Sequence, residues 1–117
     1  MSRDRRCRAT CPAQILVPEL APAPAIAIDL CVGGIFLETN SALPLGLRVK
    51  VRLLPEHGPA IVVAGRILRT GYREKRVAHP ELDHLSVRAS GLAVKFDPLQ
   101  GETAEAMRAY LETLEET

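Results

Sequence analysis

A chain of 117 residues, 47% hydrophobic and 25% charged, has the size and composition of one globular domain. Its formal net charge of +1 argues against a general nucleic-acid binder, which usually carries a basic excess. Its three cysteines fit a reducing cytoplasm better than a disulfide framework. No apolar run approaches the roughly 20 residues of a membrane-spanning helix, so we expect no membrane insertion.

The N-terminal segment is polar and rich in arginine. It contains four arginines, Arg3, Arg5, Arg6 and Arg8, against one acidic residue, Asp4. Pro12 ends this segment, and we predict a flexible arm over residues 1–12 that attracts anions locally. The remaining residues, 13–117, are predicted to form a single domain.

Short apolar runs separated by turn residues predict strands in the first half of this domain. They cover residues 14–17, 25–30, 35–39 and 47–53. The last run alternates most clearly, because Arg48, Lys50 and Arg52 fall between apolar residues, as in a half-buried strand.

The second half predicts two more strands and a helix. Residues 61–68 form a nearly continuous apolar strand, in which Gly65 indicates a bulge or bend. The polar segment 71–90 is either an extended hairpin or a mobile insertion, and the last strand begins at Gly91. A helix is predicted over 102–116. Its apolar stripe packs either on the strands or on another subunit, and consists of Ala104, Met107, Leu111 and Leu114.

Closely spaced strands followed by one amphipathic helix are typical of a small barrel or sandwich. We predict an all-β fold with one C-terminal helix, a small six-stranded antiparallel β-barrel.

One turn carries most of the functional signal. Asp29 ends a strand, Cys31 is a small residue, and the pair Gly33-Gly34 follows, so the backbone amides of this tight turn are exposed. An arginine fork matches phosphate oxygens and the O6/N7 edge of guanine, and a carboxylate accepts hydrogen bonds from guanine N–H groups. The turn and the arginines upstream of it therefore suggest a site for a phosphate-rich, guanine-like ligand.

These residues resemble the PilZ family, small β-barrel receptors for the bacterial second messenger cyclic di-GMP. The family carries an N-terminal arginine pair with three residues between, and an Asp/Asn-x-Ser-x-x-Gly turn that Asp29 to Gly34 matches, with Cys31 in place of serine. Residues 91–96 resemble the family's late strand. Among the four arginines no two are four positions apart, so the first motif is degenerate.

The resemblance implies a cyclic di-GMP receptor that relays ligand binding to an unidentified protein partner, in pathways such as motility. Its implied ligand-binding residues are Arg5, Arg6, Arg8, Asp29, Cys31, Gly33 and Gly34. The arm would fold over the ligand, with the glycines at positive φ close to it. The thiol of Cys31 is a weaker donor than a hydroxyl.

Other functions stay open. The altered motifs favour a PilZ-like domain that has lost the ligand and serves as a protein-interaction module. A small nucleic-acid-binding barrel is a third reading, against which the low net charge and the scarcity of aromatic residues count. We expect no nucleic-acid partner, no enzymatic activity, no cofactor and no metal site, because no catalytic triad, carboxylate pair or paired Cys-x-x-Cys is present. A homodimer is left open.

Overall fold

The computed structural model describes residues 7–115, with the side chains of residues 11–114. It contains the elements β1 Cys7–Leu16, β2 Ala23–Cys31, β3 Gly34–Glu38, β4 Arg48–Leu53, β5 Ile61–His79, β6 Leu82–Phe96 and α1 Gly101–Glu115. The strands pair antiparallel and close into a barrel in the order β1-β2-β3-β6-β5-β4. The predicted fold class, six antiparallel strands and one C-terminal helix, is confirmed.

Alternating side chains fill the barrel with aliphatic groups. On β4, Val49, Val51 and Leu53 point into the core, while Arg48 and Lys50 are exposed. The same core includes fully buried side chains from the other strands: Ile15, Leu30, Leu37 and Ile67. Because apolar and charged residues alternate with a period of two on β4, one face of this strand is buried and the other stays in water.

Helix α1 packs on the barrel core. Met107 is fully buried and Leu111 nearly so, and Leu114 packs against the same cluster. The phenol of Tyr110 packs there too. Burial raises its pKa, and a hydrogen bond with the Cys11 thiol adds to this. Of the two surfaces that the sequence left open for the apolar stripe, the helix therefore uses the barrel.

The N-terminal boundary differs from the prediction. Strand β1 begins at Cys7, so residues 7–12, assigned to a flexible arm, belong to the strand, and residues 1–6 lie outside the described part of the chain. Pro12 does not end the strand, because it stands beside a bulge between Arg8 and Cys11 and β4 begins to pair with β1 only at Ala13.

Gly65 has a different role from the predicted one. The bulge in β5 lies between Ile67 and Arg69, whereas Gly65 remains in register with both neighbouring strands. A β-carbon at Gly65 would collide with the backbone carbonyl of Lys95, so the glycine permits a close approach of β5 and β6.

The segment 71–90 is an extended hairpin. Strands β5 and β6 stay paired from Gly71↔Gly91 out to His79↔Leu82. Strand β4 pairs with β5 no further than Arg66, and β3 pairs with β6 only from Gly91 onward. Residues 72–90 therefore form a two-stranded extension of the barrel, which we call the ribbon.

Candidate functional site

Cross-strand pairing places Asp29 in a row of residues on the outside of the barrel. Asp29 is paired with Arg8 of β1 on one side and with Phe36 of β3 on the other. Phe36 is paired with Ala93 of β6, and Ala93 with Arg69 of β5. Because directly paired residues lie on the same face of a sheet, Asp29, Phe36 and Arg69 share the outer surface. The backbone of Arg8 lies at the end of this row.

Arg73 reaches over this row from the ribbon. Its Nε lies 3.3 Å from Oδ2 of Asp29, and its guanidinium carbon lies 4.9 Å from the centroid of the Phe36 ring. It also donates a hydrogen bond to the carbonyl oxygen of Tyr72. The side chains of Arg73 and Asp29 are only 24% and 21% exposed, so this ion pair is less screened than one on the open surface.

A groove of about 260 Å³ lies between the β2–β3 turn and the outer faces of β5 and β6. The turn contributes Cys31, Gly33 and Gly34 to its lining. The opposite wall contributes three cationic side chains, Arg69, Arg73 and Lys95. The groove therefore combines a glycine-containing turn, one thiol and positive charge, which suits an anionic ligand.

Of the glycine pair, Gly34 permits a close approach of two strands, and neither glycine has a positive φ. The left-handed glycines of the described chain are Gly46, Gly58 and Gly101, and neither Gly33 nor Gly34 is among them. Instead, a β-carbon at Gly34 would lie 2.5 Å from the carbonyl oxygen of Val94. The predicted positive φ is therefore wrong: Gly33 lies in the turn without positive φ, and Gly34 is the first residue of β3, where a glycine is needed for the close approach to β6.

A second row on the same outer surface adds positive charge beside the groove. Lys95 is paired with Gly34 on β3 and with Arg66 on β5, and Arg66 is paired with Arg48 on β4. Arg48 is neutralised by Asp97, whose Oδ2 lies 2.7 Å from its guanidinium nitrogen. Lys95 and Arg66 carry like charges at directly paired positions, so this row adds positive potential at the edge of the groove.

The structure brings together only some of the predicted ligand-binding residues. Cys31, Gly33 and Gly34 line the groove, and Asp29 lies beside it in contact with Arg73. For Arg8 the backbone lies opposite Asp29, and Arg5 and Arg6 lie outside the described residues.

Sequence reasoning missed the wall of the groove that β5 and β6 provide. Arg69 and Arg73 lie on one face of β5, but the segment from residue 71 had no apolar alternation to reveal a strand. The spacing of these two arginines, four positions apart, was the available signal, since strand residues at even spacing share a face.

Two kinds of feature are absent from residues 7–115. No group of three or more His, Cys, Asp or Glu side chains is placed to hold a metal ion. No helix in this range has the length and apolar character needed to cross a membrane.

Comparisons with known proteins agree on one family. The family model described as the PilZ domain matches residues 2–113. Among solved structures, the PilZ domain with c-di-GMP of YcgR from Escherichia coli superimposes with a TM-score of 0.72 at 14% identity, covering 98% of this chain and 92% of that chain. No curated protein matches this chain.

Longer proteins contain the same fold. MrkH, described as a c-di-GMP-dependent transcription regulatory factor, gives a TM-score of 0.76 at 14% identity, covering 99% of this chain and 52% of that one. The inhibitor of motility MotI from Bacillus subtilis gives 0.64 at 14% identity, covering 99% and 50%. At 14% sequence identity, the structural similarity to these proteins establishes the fold of this chain.

Proposed function

Because this chain belongs to the PilZ domain family, we propose that it is a receptor for cyclic di-GMP (c-di-GMP) that relays ligand binding to a protein partner. The observation that carries the proposal is the groove of about 260 Å³ in which the Asp29–Gly34 turn meets cationic side chains from β5 and β6. Two of the structural neighbours, the PilZ domain of YcgR and MrkH, are themselves described with c-di-GMP.

The chemistry of the groove matches the two parts of the ligand. Arg69 and Lys95 supply donors for phosphate oxygens, and the backbone N–H of the exposed residue Gly33 adds one more. The carboxylate of Asp29 accepts hydrogen bonds from the N–H groups of a guanine edge. Arg5, Arg6 and Arg8 would approach from the N-terminal side, since the backbone of Arg8 lies opposite Asp29.

We further propose that the protein is a binding module and not an enzyme, that it acts in the cytoplasm, and that it binds no nucleic acid. The net charge of +1 and the few cysteines support the last two statements. The alternative function is a PilZ domain that has lost c-di-GMP and acts as a constitutive interaction module. The replacement of the motif serine by Cys31 and the engagement of Asp29 by Arg73 favour that alternative.

Isothermal titration of the full chain with c-di-GMP, with c-di-AMP as control, tests the proposal. We expect selective micromolar binding that Lys95→Met weakens by roughly tenfold or more, because a charge-assisted hydrogen bond to phosphate is lost. The matched control is Lys50→Met, which removes an exposed lysine of β4 that does not line this groove. Absence of heat at millimolar ligand would favour the interaction module instead.

A further inference from the structure

Two ion pairs hold the ribbon against the outside of the barrel. Arg73 contacts Asp29 of β2 at 3.3 Å, and Nζ of Lys75 lies 2.6 Å from Oε1 of Glu38 on β3. We call these two pairs the ribbon clamp. All four side chains are less than 30% exposed, so the clamp is partly shielded from water.

A small apolar cluster lies beneath the base of the ribbon. Ala89, from the ribbon, packs with Ile28, Phe36 and Ala93 on the outer surface of the barrel. Phe36 points away from the barrel interior and is still only 1% exposed, with Arg73 over its ring. The ribbon and its arginine therefore cover an apolar surface that the barrel alone leaves open.

The ribbon joins the barrel at a pair of glycines. Gly71 and Gly91 are directly opposite each other, and Gly91 is the last residue of this hairpin that pairs with β3, while β4 has already ended its pairing at Arg66. Glycine in a strand weakens it and marks a bend or a close approach. Beyond this point the ribbon is a two-stranded sheet, which is marginally stable in water unless it packs on something. Its order therefore depends on the clamp and on the apolar cluster.

One residue of the clamp is also the carboxylate of the proposed ligand site. We propose that ligand capture by Asp29 opens the ribbon clamp, so that occupancy of the groove is converted into release of the ribbon. This inference rests on the proposed function. When guanine N–H groups donate to the Asp29 carboxylate, they replace the donors of Arg73. The clamp is then reduced to the Lys75–Glu38 ion pair, and that pair alone does not hold the ribbon on the barrel.

Release changes the surface of the molecule. Once Arg73 leaves Phe36 and Ala89 leaves Ile28, an apolar patch beside the ligand is uncovered. A ligand shifts such an equilibrium only by its different affinity for the two states, and the coupling is reciprocal. Weakening the clamp at Lys75, which does not line the groove, should therefore tighten ligand binding.

Hydrogen exchange of the full chain, measured by mass spectrometry, reports on the ribbon directly. With saturating c-di-GMP we expect amides of residues 72–90 to exchange several-fold faster, while those of β4 do not change. Lys75→Met should accelerate the same amides without ligand and tighten c-di-GMP about two- to fivefold. The matched control is Arg76→Met, which removes the next, exposed cation of the ribbon and should change neither quantity.

The outcomes separate the two proposals. Calorimetric heat without faster exchange in the ribbon overturns the inference and leaves the receptor function standing. Absence of calorimetric heat with c-di-GMP overturns the receptor function. Hydrogen exchange of the Lys75→Met variant without ligand then tests whether the clamp orders the ribbon. Faster exchange in that variant supports the clamp, and unchanged exchange overturns it.

Discussion

Strands β5 and β6 pass through two different environments in this molecule. In the barrel, β5 is paired with β4 from Ile61 to Arg66 and with β6 from Gly65 onward, and its inward side chains Ile61 and Val63 are buried in the core. In the ribbon the same two strands have no third strand among the described residues, and exposed apolar side chains such as Tyr72 and Leu82 face water.

The comparison shows that one hairpin can contain a part held firmly in the barrel and a part whose attachment depends on salt and ligands. Inside the barrel, burial of aliphatic surface provides the stabilisation, and it depends little on salt or ligands. In the ribbon, two ion pairs and a four-residue apolar cluster provide it, and the ion pairs respond to competing charges. Four predictions test this difference, in decreasing order of the change that each should produce.

The core prediction concerns the helix. Met107→Ala should lower the free energy of unfolding by about 2–5 kcal/mol, because Met107 is fully buried between α1 and the barrel. Urea denaturation measures the change, and Arg108→Ala, at the exposed neighbouring position, should stay within about 0.5 kcal/mol. A small loss at Met107 would mean that the helix does not contribute to the barrel core.

The glycine pair at the base of the ribbon allows a matched test on two paired residues. Gly91→Ala should cost roughly 1–3 kcal/mol, because its β-carbon would collide with the backbone carbonyl of Leu37. Gly71→Ala should be nearly neutral, because its β-carbon meets only the far end of the Arg69 side chain, at 3.4 Å. Equal melting temperatures in the two variants would contradict the conclusion that β6 approaches β3 closely at Gly91 and that Gly71 has no such contact.

The clamp prediction concerns global stability and salt. Arg73→Met should lower the free energy of unfolding by no more than about 1 kcal/mol, the upper range for exposed ion pairs, since both partners are partly hydrated. A double-mutant cycle with Asp29→Asn should give a coupling energy that decreases as salt is added. A coupling that salt does not change would indicate that packing on Phe36, and not charge, holds Arg73.

The alkaline prediction has the smallest effect at neutral pH. The pKa of Tyr110 is raised in the folded state, so its contribution to stability is complete below the unfolded value near 10 and is lost as the pH rises beyond it. Tyr110→Phe should reduce the decline in melting temperature above about pH 10. Identical alkaline profiles for the two proteins would contradict the burial of this phenol.

The features that the sequence predicted well are those with local periodicity. The alternation of Val49, Val51 and Leu53 with cations located β4 and its two faces, and the stripe at Met107 and Leu111 located the buried side of the helix. The Asp29–Gly34 turn was recognised because its residues are consecutive. These signals are local, so one sequence is sufficient to detect them.

Features that depend on distant pairing were missed. Cys7 to Pro12 look like a tail because their strand character comes from pairing with β2 and not from their own composition. Arg73 lies in a polar stretch, and its contact with Asp29 depends on how far the hairpin extends and where it bends. Tertiary contacts of this kind override local propensity, so the cationic wall of the groove was not predictable from spacing alone.

The order in which the strands pair has a kinetic consequence. Strand β1 is paired with β4, and β3 with β6, so the barrel closes only when the β5–β6 hairpin has joined β3 on one side and β4 on the other. Hairpins form locally within microseconds, whereas pairings between distant segments must first overcome the entropy of loop closure. We therefore expect docking of this hairpin to limit the folding rate, and an intermediate without it would present β3 and β4 as open strand edges.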